Sequence, residues 1–416
     1  MSQLSKIVEN FLSLGILQII NYAVPLITFP YLVHVLGIEG FGLYSFIIAV
    51  INYGVLATEY GFDLSATKHI SINLKNKEKL NEIFSSVIII KSIVALIFLI
   101  ILLLLTLFFD RFSKDSYLYF IAFGLVIGQV LFPVWFFQGI EKMRYITILN
   151  ALAKIIFTIA IFIFVNSKDD LVYAFLFNSL GSVIAGLLAI NIAIKDFGIK
   201  LSWQALDRII FYIKDGWYIF TSRVAVQLYQ SANIIVLGLM TNNTLVGYYT
   251  IAYKIVSALS NIFSVANSAL YPYISKLYIS SKEKFFKQNI YLSIGLFFMM
   301  LPVAIVVYIY APMIIELISG KEANDTIVYL LRVLAPMLTI ILYGGQFTNI
   351  LVILEESKLL NSVVVIAGLI NILLIVPVIY LFSVKGVVWL NVFIMLYIAF
   401  TKGYFVYGKF RKKELL

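Results

Sequence analysis

The sequence contains no cysteine, and its 416 residues include only two histidines, His34 and His69. The first absence excludes disulfides and thiolate metal centres; the second argues against an imidazole-based metal site. Charge is also scarce. Asp, Glu, Lys and Arg make up 12% of the chain, about half of what a soluble domain carries. There is no Walker A loop, no HExxH and no nucleophile elbow, so no enzyme class suggests itself. What the chain has instead is 62% hydrophobic residues. A fold of this length cannot assemble a polar exterior from such a composition, so its surface must face lipid.

Apolar stretches long enough to cross a hydrocarbon core of about 30 Å recur along the whole sequence. They predict an all-α polytopic membrane protein of about twelve transmembrane helices: 11–36, 42–66, 84–109, 117–140, 146–165, 171–194, 215–240, 245–272, 290–318, 327–354, 359–382 and 386–408. The first stretch lacks a small-residue cleavage site and reads as a retained helix rather than a signal peptide. Basic residues outside the spans divide unevenly. One side collects 20, including Lys68, Lys75, Lys77, Lys79, Lys282, Lys284 and Lys287. The other holds 5: Arg111, Lys114, Lys168, Lys321 and Lys385. The rich side is expected in the cytoplasm, with both termini. This asymmetry accounts for most of the net charge of +10 as topology and attraction to anionic membrane lipid, not nucleic-acid binding. Trp135, Trp217 and Trp389 fall near span ends and read as interfacial anchors. The segment from Trp203 to Lys214 mixes Leu206, Ile209, Ile210 and Ile213 with Asp207, Arg208 and Lys214, and reads as a short helix lying on the cytoplasmic interface. It joins two halves, 1–200 with helices 1–6 and 201–416 with helices 7–12.

The halves repeat. Val35-Leu36-Gly37 and Phe41-Gly42-Leu43-Tyr44 return as Val236-Leu237-Gly238 and Val246-Gly247-Tyr248-Tyr249. Ser45, Asn52, Glu59 and Asp63 share one face of helix 2. Shifted by half the chain, they become Thr250, Ser257, Ser264 and Ser268 of helix 8, with Lys254 and Asn261 on the same face. Small-residue packing is the alternative for the serines; it does not explain Glu59, Asp63 or Lys254. Six helices separate the copies, so the repeats are parallel. A pseudo-twofold axis along the membrane normal is expected, with the substrate site between the halves.

Six basic residues fall inside spans, where a charge costs about 2.5–3.5 kcal/mol at a helix centre. Lys402 lies close to the cytoplasmic end of helix 12 and reads as snorkelling. Lys91 and Arg332 fit either snorkelling or a cavity. Lys154, Arg223 and Lys254 are deep enough to read as cavity residues. Gln227 and Gln230 extend the face of Arg223; Gln18, Asn21 and Pro25 form a row on helix 1; Arg332 heads a looser row through Thr339 and Gln346. These stripes point to a water-filled cleft. Buried cations outnumber Glu59 and Asp63, which suits an anionic ligand such as phosphate or pyrophosphate. The two acids either pair with the cations or titrate and couple transport to protons or sodium. No organic cofactor is implied.

At three places the residues resemble a known family. Glu59-Tyr60-Gly61-Phe62-Asp63-Leu64-Ser65-Ala66-Thr67-Lys68 is similar to the helix 2 signature of Wzx-type O-antigen flippases. Trp135-Phe136-Phe137-Gln138-Gly139-Ile140-Glu141-Lys142-Met143 resembles that family's helix 4 segment, and Leu270-Tyr271-Pro272-Tyr273-Ile274-Ser275 its segment after helix 8. The family belongs to the multidrug/oligosaccharidyl-lipid/polysaccharide exporter superfamily. The resemblance implies two six-helix lobes, a V-shaped central cavity and alternating access. It also implies an undecaprenyl-pyrophosphate-linked oligosaccharide as substrate in the bacterial inner membrane, with Arg223, Lys254 and Lys154 as the cavity cations. A polysaccharide polymerase and glycosyltransferases are the partners it suggests, and a monomer is the expected state. Where relatives commonly carry Arg before the Leu-Gly motif, this chain has His34, expected as a packed neutral ring or a pH-dependent contact. A drug or metabolite antiporter of the same superfamily, and a non-transporting scaffold for assembly enzymes, are the competing readings. The buried cations speak against the first and the polar stripes against the second.

Overall fold

A computed structural model describes the backbone of residues 3–411, and the side chains of residues 18, 20–21, 23–263, 270–271 and 273–409. Ser264, Ser268 and Pro272, together with Lys6, Arg411, Lys412 and Lys413, lie outside the described side chains. Among the described residues there is helix and no strand. In chain order the helices are α1 (Gln3–Glu59), α2 (Phe62–Ile72), α3 (Lys77–Phe108), α4 (Asp110–Ser113), α5 (Ser116–Ala122), α6 (Gly124–Leu131), α7 (Val134–Gly139), α8 (Met143–Phe164), α9 (Leu171–Lys195) and α10 (Leu206–Gln230). After them come α11 (Ala232–Met240), α12 (Asn243–Ser280), α13 (Lys282–Ile309), α14 (Ala311–Ser319), α15 (Asp325–Leu334), α16 (Met337–Ile353) and α17 (Ser357–Arg411).

Their ends follow local chemistry. The side chains of Asn76, Asn242 and Ser281 accept from the backbone N–H of Lys79, Leu245 and Lys284, capping α3, α12 and α13. Asn324 caps α15 through Thr326 and Ile327. Phe132 is extended because Pro133 follows it, and this breaks the fourth predicted span between α6 and α7. Two long helices are each a pair joined at a non-helical residue: Gly37 in α1, with φ 70°, and Ser383 in α17, with φ 52°. Eight of the described helical stretches are long and apolar enough to cross a membrane, two of them being Ala23–Ile72 and Ser357–Lys409. Fifty residues of helix extend about 75 Å, more than twice a hydrocarbon core, so each of these two holds two crossings that turn at the break. One expectation is corrected. Trp203 to Lys214 does not form a separate interfacial helix: α10 begins at Leu206 and runs unbroken through Gln230. No proline interrupts it, so nothing ends the helix before the span begins.

The chain divides into two compact units, residues 1–36 with 46–224, and residues 37–45 with 225–416. The boundary falls at 224 and not at 200, because α10 packs by its first half on the first unit. Gly216 of that half lies against Tyr60, and Tyr60 stacks on Phe220 with ring centroids 4.6 Å apart. The first unit's core gathers Phe84, Trp135, Phe136, Phe137, Ile70 and Tyr212. Trp135 is 2% exposed, which corrects its reading as an interfacial anchor; Trp217 and Trp389 are exposed, as anchors require. Two of the three segments that carry the family resemblance meet here. Thr67 donates to the carbonyl of Trp135 at 3.0 Å, and a Cβ at Gly139 would strike Ile70. Outward, α3 presents Leu96, Ile97, Ile100, Ile101, Leu103 and Leu104, the face that lipid covers.

In the second unit the repeat shows itself directly. A Cβ at Gly42 would come within 1.8 Å of the Asn243 carbonyl oxygen and 2.8 Å of the Gly247 backbone nitrogen; one at Gly247 would meet the Ile38 carbonyl at 2.3 Å. The corresponding glycines of the two copies thus meet backbone to backbone, and this draws 37–45 into the second unit. Ser45 and Thr250, also repeat-related, are buried with hydroxyls that find no partner. At this end of the stripe, small-residue packing is the right account. A buried chain of amides ties the unit's helices together: Asn371 donates to Asn233 at 2.8 Å, Asn233 to Asn391 at 2.9 Å, and Asn391 to the Tyr249 hydroxyl at 2.5 Å.

Candidate substrate-binding sites

In the first unit the acids of the stripe flank a backbone break. Glu59 is the last residue of α1, Asp63 the second of α2, and between them Tyr60 and Gly61 take φ values of 48° and 83°. A side chain at Gly61 would be strained by that φ and would collide with Ile219 of α10. The break turns both carboxylates toward α10. There Arg223 places Nη2 2.5 Å from Asp63 Oδ2 and Nη1 3.5 Å from Glu59 Oε2. Glu59 also accepts from Gln129 Nε2 at 2.9 Å. Lys91, 2% exposed, donates to the Gln129 carbonyl at 2.5 Å. Its ammonium points into the unit and does not snorkel. Two cations and two carboxylates thus make a neutral cluster, where the sequence suggested an excess of cation. All three members of the Arg223 triad remain about a third exposed, with side-chain exposures of 30%, 37% and 34%. Asp63 Oδ1 is buried and unsatisfied.

Lys154 lies apart from this cluster. Its ammonium reaches Asn21 Oδ1, which explains the polar row on helix 1. It lines a cavity of about 210 Å³ with Gln129, Asn150, Asn178, Ser182 and Phe157. Asn52 is exposed.

The second unit holds a comparable cavity of about 240 Å³. Gln230, Ser257 and Asn261 line it, joined by Tyr229, Tyr253, Ser260, Thr348 and Lys402. Lys402 is 7% exposed and donates to Thr348 Oγ1 at 2.9 Å. The snorkelling assignment is therefore wrong. The side chain of Phe400 is exposed on the neighbouring face, and Lys402 points the other way, into the unit. Lys254 lies 5.0 Å above the Phe41 ring, and Gln227 is half-buried. Arg332 turns to Tyr308, donating from Nε to its carbonyl at 3.2 Å. Its row ends in the interior rather than at a cleft: Thr339 is buried, and Gln346 donates to Asn289 at 2.6 Å. His34 is exposed, not packed. Among the described residues no group of His, Cys, Asp and Glu could hold a metal ion.

Residues 7–278 match the family described as polysaccharide biosynthesis protein. The chain belongs to that family. It is 30% identical over 388 residues to a protein of Escherichia coli (strain K12) named "Putative O-antigen transporter", with 91% of each chain covered. A protein of the same name from Shigella dysenteriae is 27% identical over 388 residues, covering 91% of this chain and 95% of the relative. Among solved structures, "Lipid II flippase MurJ, inward closed conformation" aligns with a TM-score of 0.74 at 15% identity, covering 96% of this chain and 87% of that one. An inward-facing multidrug resistance MATE family transporter of the MOP superfamily aligns at 0.70 and 17% identity, covering 98% of each. At such identities the likeness establishes the fold alone. The polysaccharide biosynthesis family member is thus a multi-pass membrane protein with the exporter-superfamily fold, related to transporters and not to catalysts. Gln129, Asn150, Asn178, Ser182, Ser260 and Thr348 escaped the sequence reading. Gln129 stands alone in an apolar run, and the others sit among polar neighbours that mark no face as the lining one, so only the packed neighbours reveal where they converge.

Proposed function

We propose that the protein is a flippase that moves an undecaprenyl-pyrophosphate-linked oligosaccharide from the cytoplasmic to the outer leaflet of the bacterial inner membrane by alternating access. The observation that carries this reading is the similarity to the O-antigen transporters along nine-tenths of both chains. The buried basic side chains add to it. A lipid-linked pyrophosphate brings about two negative charges into the membrane, where water cannot neutralise them. Arg223, Lys254 and Lys154 are the contacts assigned to it, with Lys91 and Arg332 as supporting cations. Gln227, Gln230, Asn52, Ser257 and Asn261 are assigned to the sugars. Arg223 reaches phosphate by giving up Asp63 or Glu59, and a carboxylate released in that exchange can take up a proton or sodium ion. Both termini are placed in the cytoplasm by the distribution of basic residues.

The experiment is complementation of a flippase-deficient strain, with membrane abundance measured beside surface polysaccharide. Lys254→Ala is expected to lose most surface polysaccharide at normal abundance, and full activity would remove it from the mechanism. Glu59→Gln and Asp63→Asn are expected to flatten the dependence on proton or sodium gradients. Gradient dependence unchanged in both would reduce the acids to structural partners of Arg223.

A further inference from the structure

Lys402 is a buried cation for which the function proposed above has no task. Ordinarily a lysine this near a helix end carries its ammonium to the interface. Here the ammonium stays inside the second unit, where its hydrogen bond goes to a neutral hydroxyl, Thr348 Oγ1. Neither aspartate nor glutamate is among the residues lining its cavity. The first unit shows how this chain neutralises a buried guanidinium: it brings two carboxylates to Arg223. No such arrangement serves Lys402. A buried charge without a countercharge is costly, and a site that retains one has a use for it. A second observation points the same way. Ser260 Oγ, on the same cavity wall, is buried and has no hydrogen-bond partner among the described residues.

We infer that this cavity is an anion-binding site, taking one phosphate or carboxylate group borne on a hydroxylated moiety, with Lys402 as its charge partner. Thr348, Ser257, Ser260 and Asn261 supply the hydroxyl and amide contacts such a moiety needs. Tyr229 and Tyr253 supply ring faces. At about 240 Å³ the space is smaller than pockets for drug-sized ligands. It fits one charged group or one sugar ring, not a whole repeat unit. The site deepens the flippase reading and rests on it only for the source of the anion: the pyrophosphate of the lipid carrier or the carboxylate of an acidic sugar.

The test is calorimetric titration of the purified full chain in detergent micelles with inorganic pyrophosphate, glucuronate and glucose. Wild type is expected to bind at least one anion more tightly than glucose. Lys402→Gln should weaken that anion about tenfold or more, as loss of a hydrogen bond to a charged group does. Lys402→Arg should stay within a few-fold. Loss confined to pyrophosphate identifies the carrier as the source; loss confined to glucuronate identifies an acidic sugar. In a Lys254→Ala background, whatever anion affinity remains should still fall about tenfold when Lys402→Gln is added, so a failure of the pyrophosphate assignment to Lys254 is told apart from a failure here. Should Lys402→Gln prove unable to fold, Ser257→Leu, which fills the cavity and keeps the lysine, must lower the same affinity. Unchanged anion binding in monodisperse Lys402→Gln or Ser257→Leu, or no anion binding by wild type at millimolar concentration, would overturn the site.

Discussion

Arg223 in the first unit divides its guanidinium between Asp63 and Glu59, and Lys91 rests on a backbone carbonyl beside them. Lys402 in the second unit meets a threonine hydroxyl, and Lys254 lies over the ring of Phe41. One chain therefore handles charge in the membrane in two ways. The first unit neutralises its cluster internally, which stabilises it and stores two carboxylates that an ion can address. The second sets Lys254 over an aromatic ring and surrounds Lys402 with neutral polar groups, with no carboxylate among the residues that line its cavity. Counting buried cations over the whole chain, as a sequence invites, merges the two cases and overstates the positive excess in the first.

Substitutions can break or sharpen this contrast. The largest effect is expected where the repeat's glycines meet in the second unit. Gly42→Leu would force a side chain into the Asn243 carbonyl and should cost about 3 kcal/mol of stability, read as a lowered unfolding midpoint in micelles. A normal midpoint would remove 37–45 from that unit. Next is Arg223→Ala, which leaves Asp63 and Glu59 with Lys91 as the only cation of their cluster. Removing one partner of a fully buried pair costs about 3–5 kcal/mol, and the partial exposure here brings the expectation to about 2 kcal/mol. Adding Asp63→Asn and Glu59→Gln should restore most of the lost abundance. Lys254→Ala removes a cation that lies over the Phe41 ring; abundance should hold while transport falls about tenfold, equivalent to about 1.4 kcal/mol. If Lys254→Ala instead depletes the protein as Arg223→Ala does, the contrast between the units fails. The smallest effect belongs to His34→Gln at an exposed position, within about 0.5 kcal/mol and with unchanged pH dependence of transport.

Much of the fold was legible because lipid imposes a simple rule on sequence. The recurring apolar stretches anticipate an all-helical membrane fold, since backbone polar groups must be satisfied inside each one. The break at Gly37 falls between the first two predicted spans, as a glycine allows; the one at Phe132–Pro133, which the fourth predicted span ran across, is imposed by the proline. Ser383 falls between the spans 359–382 and 386–408, where a break is expected; the unbroken start of α10 was not legible, because nothing in its local chemistry separates an interfacial helix from a continuing one. Repeat arithmetic identified Gly42 and Gly247 as equivalents; that they touch is a tertiary fact. Depth along a helix was a poor guide to lysines. Lys402 and Trp135 both sit where interfacial residues sit in sequence, yet both are buried, because the direction a side chain takes depends on what packs beside it. Polar residues arranged as stripes were found; a single one such as Gln129 was not, as one amide in an apolar run carries no periodicity.

The measurement that bears most directly on the account is leaflet-to-leaflet transfer in proteoliposomes, comparing an undecaprenyl-pyrophosphate-linked oligosaccharide with the same oligosaccharide on a neutral lipid linkage. Wild type should move the pyrophosphate-linked substrate, and move the neutral one at least tenfold more slowly. Lys254→Ala should erase most of that preference while inserting normally. Equal rates for the two substrates in wild type, or an undiminished preference in Lys254→Ala, would contradict the claim that buried basic side chains recognise the pyrophosphate.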